Sequence, residues 1–250
     1  RKLLHLIDLE RGVININGIE CELLDKSYPT IDPSDPYKLT DDEQAIINHF
    51  HSAFINSEKL KKHVYFLLQK GSFYLARNNN LMFHASIPLN EDGTFKKVKV
   101  MDEHYSGKRL LDRLDSLVQL ACRKSTEISE EKQASIDYMW YLWCGADSPS
   151  FDKAKMATFE RYLITNKETH KEHKGYYYQL QNDEDICIKI LKEFGIESEG
   201  SHIINGHVPV KIKKGEHPVR ANGKLLVIDG GFSKAYHSET GIAGYTLVYN

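Results

Sequence analysis

The chain has 250 residues, 41% of them apolar and 27% charged, with 33 Lys and Arg against 35 Asp and Glu for a formal net charge of -2. That balance suits one large globular domain or two modest ones and excludes the basic field that nucleic acid requires, and no apolar run approaches the ~20 residues of a bilayer span. The four cysteines, Cys21, Cys122, Cys144 and Cys187, stand far apart with no CxxC pair, and no secretory apolar segment opens the chain, which predicts reduced thiols and a cytoplasmic setting.

Residues 1–9 carry Leu3, Leu4, Leu6, Ile7 and Leu9, a short helical stripe ended by Arg11-Gly12. Residues 13–16 and 20–24, joined by Asn17-Gly18, predict a β-hairpin with a type I′ turn. Three prolines between Tyr28 and Tyr37 predict an extended connector. Thr40 before Asp41-Asp42-Glu43 is an N-cap with an acidic first turn, opening a helix to about Phe54, and Ser57 caps a second helix to about Gly71. Residues 72–76 and 80–83 read as strands around an Asn-rich turn, and residues 95–100 alternate like a surface strand. Leu110, Leu111, Leu114, Leu117, Val118 and Ala121 mark a packing helix over 107–124. Both tryptophans fall in Tyr138-Met139-Trp140-Tyr141-Leu142-Trp143, read as a core anchor that feeds a Gly/Pro/Ser loop bordering a pocket. Residues 157–164 read as a strand, 183–194 as an amphipathic helix stopped by Gly195, and 219–226 with 244–248 as an antiparallel pair.

Chemistry concentrates at two strand exits. Ile203-Ile204 ends at Asn205-Gly206, His207 follows, and Val208-Pro209 forbids helix there, so the imidazole is presented from a loop just past a strand. A second apolar strand over 224–228 breaks at Asp229-Gly230-Gly231. The strand at 80–83 exits in the same manner through His84-Ala85-Ser86-Ile87-Pro88. Strand-end loops are where α/β sheets carry function, and a neutral imidazole on a rigid turn suits a transition metal. The alternative for each His is a surface or satisfied-core role.

Other histidines are weaker candidates. Asp102-Glu103-His104 has the Asp-x-His spacing of dinuclear phosphatases but reads as a solvated charged turn, and Asn48-His49-Phe50-His51 lies within a helical pattern that splits its side chains between faces. His170 and His173 are surrounded by Lys167, Lys171 and Lys174, and cations oppose a divalent ion. GxxxxGK[ST], GxGxxG, GxSxG and HExxH are all missing. His84 and His207 therefore suggest half of a metal site, since phosphate chemistry also needs carboxylates and a bridging water.

Leu81 through Gly93, Tyr138 through Trp143 with Ser148-Pro149, Lys155 through Tyr162, and Ile203 through Val210 with residues 227–249 resemble the class III fructose-1,6-bisphosphatases of bacteria. The likeness runs in order through essentially all 250 residues. That family is similar to the calcineurin-like metallophosphoesterases. The resemblance implies an α/β (α+β) fold, part of a two-sheet sandwich flanked by helices with a helical insertion. Its parts are then a hairpin, connector and helical cap over 1–70 and a phosphatase half over 71–250, with a helical excursion at about 103–135. It implies a dinuclear divalent site, usually Mn2+, in which His84 and His207 ligate the second metal, and a Trp-containing strand end at Trp143. Lys234, Tyr236 and Arg161 become candidates for phosphate contacts, against a surface structural role for each.

The family's Asp-x-His, its Asp near an Arg-Gly pair and its Gly-Asn-His with a following acid do not stand at strand ends in this chain. The sequence is therefore expected to be the C-terminal portion of a longer enzyme whose catalytic groups lie in the missing N-terminal portion. The expected activity of the whole is hydrolysis of the 1-phosphate of fructose 1,6-bisphosphate in gluconeogenesis, without nucleic acid or membrane partners and with homo-oligomers left open. A related metallophosphatase acting on phosphoprotein or nucleotide, or a non-catalytic module that kept the fold, are the alternatives.

Overall fold

The computed structural model describes residues 4–123, 127–231, 233–234, 237–241 and 244–248. Leu4–Leu6 close a single 3-10 turn and Ile7–Asp8 form strand β1, so the stripe expected as a helix over 1–9 ends in sheet, with Leu3 outside the described residues. One turn of helix is too short to repay its own nucleation, while β-branched Ile7 gains a partner in Ile14. Asn17 and Gly18 both adopt positive φ, 52° and 84°, as a type I′ turn requires, and join β2 (Val13–Ile16) to β3 (Ile19–Glu22) in the expected hairpin. Ile14, Ile16, Cys21 and Leu23 form a small core with Ile164.

Thr40 caps α1 (Asp41–Ile55) through a capping box: its hydroxyl accepts from the Glu43 amide, and the Glu43 carboxylate accepts from the Thr40 amide. The Ser57 hydroxyl likewise accepts from the Leu60 amide at the start of α2 (Glu58–Lys70). Neither helix buries a residue.

Asn78 and Asn79, with φ of 52° and 57°, turn β4 (Tyr74–Arg77) into β5 (Asn80–Phe83). β6 (Val98–Val100) pairs with β7 (Glu103–Tyr105), so Asp102-Glu103-His104 runs into strand rather than forming only a turn. Val98 and Val100 are buried, so the alternation read as a surface strand has its apolar side packed in the core. Two helices follow, α3 (Gly107–Cys122) and α4 (Glu130–Cys144), and the helical excursion extends to Cys144 rather than about 135. Ser135 and Leu142, seven apart, face inward on α4, whereas Trp140 and Trp143, three apart, share the outer side at 68% and 57% exposure. The tryptophans are therefore not core anchors; the helical turn points them away from the face that packs.

The segment 157–164 is helix α5 (Thr158–Leu163) rather than strand. Phe159 and Leu163, four apart, meet the small Ile14 core, and a period of four suits a helix. The chain divides into two compact units, Arg1–Gln69 with Met156–Glu172 and Lys70–Lys155 with His173–Asn250, so α5 belongs to the first. The sequence reading of 1–70 and 71–250 as successive parts did not include that return.

In the second unit α6 (Tyr177–Leu180) precedes α7 (Glu184–Glu193), whose Asp183 carboxylate accepts from the Asp185 and Ile186 amides. Three strands, β8 (His202–Asn205), β9 (Val219–Arg220) and β10 (Leu225–Val227), and the short α8 (His237–Thr240) follow. The five-stranded sheet has the order β4-β5-β8-β10-β9, with β5, β8 and β10 parallel and an antiparallel strand on each edge. The antiparallel partner of β10 is β9, so the pairing expected between 219–226 and 244–248 is replaced by a tight return, and Gly244 makes one bridge to Asp229. Leu81, Ile203 and Leu225 stand in register across the parallel strands and are fully buried. The fold is mixed α/β, as the sequence indicated. Among the described residues of this unit, the other sheet is the two-stranded β6–β7 ribbon.

Candidate metal centre

Parallel pairing sends the carboxyl ends of β5, β8 and β10 out of the same edge of the sheet, where α/β proteins place their ligands. His84, His207 and Asp229 are the polar residues just past those ends. The Gly206 amide donates to the His84 carbonyl at 3.0 Å, extending the β5–β8 ladder into the two loops. The Val208 amide then donates to the Gly206 carbonyl at 2.7 Å, closing a three-residue turn around His207 at φ 66°. A non-glycine residue in that conformation costs about 1–3 kcal/mol, a strain that tends to collect at functional sites.

The turn aims His207 Nδ1 at His84 Nε2, 3.0 Å away, with ring centroids 4.8 Å apart and planes at 71°. Burial lowers the pKa of both imidazoles, and for His207 the neighbouring His84 and Lys153 lower it further. Asp229 pulls both the other way, as does the Phe151 backbone for His207, without reversing the shift. Two neutral rings whose nitrogens face at this distance share a proton or hold a cation between them. Metal–imidazole bonds of about 2.0–2.1 Å set at a right angle put two nitrogens about 3.0 Å apart, so the pair fits two adjacent ligands of one ion. Two donors are half a coordination shell; among the described residues no group of three or more His, Cys, Asp and Glu side chains is placed to hold a metal.

Arg161 belongs to the first unit, on α5, where its guanidinium stands 3.3 Å from Glu172. Lys234 is exposed, and Tyr236 lies outside the described residues. Trp143 sits on an exposed helical face rather than at a strand end. His170 Nε2 donates to the Ile164 carbonyl, 2.9 Å away, as a structural residue of the first unit.

Sequence reasoning missed Asp152. It is 2% exposed at φ 45°, its Oδ2 has no hydrogen-bond partner, and burial pushes its carboxyl up to about 6 against the opposing pull of Ser86. A side chain at Gly175 would place its Cβ 2.1 Å from Asp152 Oδ1, so only glycine lets the backbone approach so closely. That glycine was the available signal, although nothing local ties it to a residue 23 positions earlier. Asn205, also buried, donates to the Tyr177 hydroxyl at 2.7 Å and the Ala85 carbonyl at 3.3 Å, fixing the end of β8 just before His207.

Fold and site together describe an α/β protein with a paired-histidine centre at the carboxyl edge of its sheet. The chain belongs to the Firmicute fructose-1,6-bisphosphatase family, which matches it over residues 1–250. It is 60% identical over 250 residues to a class 3 fructose-1,6-bisphosphatase of Bacteroides fragilis, 58% identical over 250 to that of Bacteroides thetaiotaomicron, and 57% identical over 251 to one of Clostridium beijerinckii. Each comparison covers 100% of this chain but only 38%, 38% and 37% of the relative, so the chain spans little more than a third of their length. No solved structure matches it at a significant level.

Proposed function

We propose that this chain is part of a metal-dependent fructose-1,6-bisphosphatase that removes the 1-phosphate of fructose 1,6-bisphosphate, a gluconeogenic step in the cytoplasm. The observation that carries this reading is the pair of facing ring nitrogens at 3.0 Å at the ends of two parallel strands, in a chain of this family. His84 and His207 ligate a divalent ion, Mn2+, through neutral imidazoles, and the lowered pKa of both keeps their lone pairs available where an ordinary histidine begins to protonate. Asp229 supplies a negative charge beside the pair, and the strained turn at His207 holds its ring in the ligating direction. The metal centre, when filled, supplies Lewis acidity and a bound water of lowered pKa. The other donors and the proton-transferring groups would come from outside the residues described. Lys234, exposed near the same loops in sequence, is a candidate phosphate contact, as are Tyr236 and Arg161, the latter only on releasing Glu172.

Mn2+-dependent phosphate release by the full-length protein, wild type against His207→Ala, tests the assignment. The expected loss exceeds the roughly 10–100-fold that outer-shell substitutions at metal sites cost. Unchanged turnover removes His207 as a ligand.

A further inference from the structure

Helices α1 and α2 are joined by Asn56-Ser57 alone, and neither buries a residue. Ile46, Ile47, Phe50 and Phe54 fall at i, i+1, i+4 and i+8, which at about 100° per residue confines them to one side of α1. They are 55%, 51%, 58% and 66% exposed. Leu60, Val64 and Leu67, at i, i+4 and i+7, make the matching stripe on α2 at 37%, 43% and 63% exposure. An apolar stripe stabilises a helix in water only by packing against another surface. These seven side chains, at on the order of 100 Å² each, present roughly 700 Å². That exceeds the apolar patch of an ordinary monomer and approaches the ~800 Å² that each partner gives to a standard interface.

The charges beside the stripes are complementary. α1 carries Asp41, Asp42 and Glu43 with no Lys or Arg, whereas α2 carries Lys59, Lys61, Lys62 and Lys70 against Glu58 alone. Some are already engaged: Glu43 closes the capping box, and Lys61 pairs with Glu58 at 2.8 Å. Asp41 and Asp42 remain at the start of α1, and Lys59 and Lys62 near the start of α2. Acids suit a helix N-terminus, but lysines there oppose the macrodipole by about 0.3–1 kcal/mol each, a local cost that an acidic neighbour offsets. A surface with an apolar stripe, an acidic end and a basic end is complementary to itself, as a two-fold interface demands.

We propose that α1 and α2 form a homodimer interface: their stripes pack on those of a second copy, and Asp41 and Asp42 of each copy stand against Lys59 and Lys62 of the other. The two-fold axis makes that contact twice. The interface is independent of the histidine pair and of the phosphatase reading.

Sedimentation of the full-length protein at low salt, across a concentration series, tests this. Wild type is expected to dimerise, and the Phe50→Glu, Phe54→Glu double variant to weaken the dimer about a hundredfold or more, the scale of two lost interface anchors. A second set of variants leaves the stripe intact, with Lys59→Glu and Lys62→Glu in one protein and Asp41→Lys and Asp42→Lys in another. Each is expected to weaken its own dimer about tenfold, and a one-to-one mixture to recover wild-type association, because every mixed contact then pairs opposite charges. A monomeric wild type overturns the interface and assigns the stripes to contacts within the longer protein. Dimers of unchanged affinity in the Phe50→Glu, Phe54→Glu protein, or a mixture that associates no better than its components, overturn it as well.

Discussion

Asp152 shows how a single buried carboxyl sets a pH dependence. Its folded pKa, about 6, lies above the ~3.9 of an unfolded aspartate, so between those values the folded chain holds a proton that the unfolded chain releases. Stability from this residue is therefore present at low pH and lost as pH rises through about 6, by on the order of 3 kcal/mol for a shift of about two units. His84 and His207 act in the opposite direction: their folded pKa lies below the ordinary ~6.5, so protonating them as pH falls favours the unfolded chain. Asp152→Asn removes only the first effect. Thermal melts of the two proteins are expected to converge near pH 4 and to separate by pH 7 with the Asn variant the more stable; a constant difference across that range would show that Asp152 does not titrate inside the fold.

Within single elements, what decides the outcome is whether the signal is local. The Thr40 capping box on α1 involves residues three apart and forms as read. Because α1 buries no residue, losing this cap should loosen the helix without unfolding the core. Thr40→Ala is expected to cost about 1 kcal/mol, read as faster amide exchange in the first turn of α1 with the global melt unmoved. Equal protection in both proteins would mean that the cap contributes nothing. α5 failed as a prediction because Thr158 through Ile164 is a short apolar-rich run whose period does not separate strand from helix until the Ile14 core supplies a surface for Phe159 and Leu163. The tryptophans of α4 misled for a related reason: aromatic content suggests burial, but only the helical turn decides which side chains face in.

Across the whole molecule, the parallel strands β5, β8 and β10 carry the site. Leu225→Ala, in the fully buried row with Leu81 and Ile203, is expected to destabilise by about 2–5 kcal/mol through the cavity it leaves. A urea titration reads that loss, and a midpoint unchanged from wild type would place the core of this unit elsewhere. The same pairing gathers the site: His84 and His207 stand 123 residues apart in the chain.

The amino-acid order alone determined the Asn-Gly and Asn-Asn turns, the caps of α1, α2 and α7, and the exits that present His84 and His207, because each is set by residues within a few positions of one another. Tertiary structure alone decided that the two imidazoles meet and that Asp152 is buried beneath Gly175. Parallel strands must be joined by long crossovers, so the groups they bring together are distant in sequence and no local pattern records the meeting.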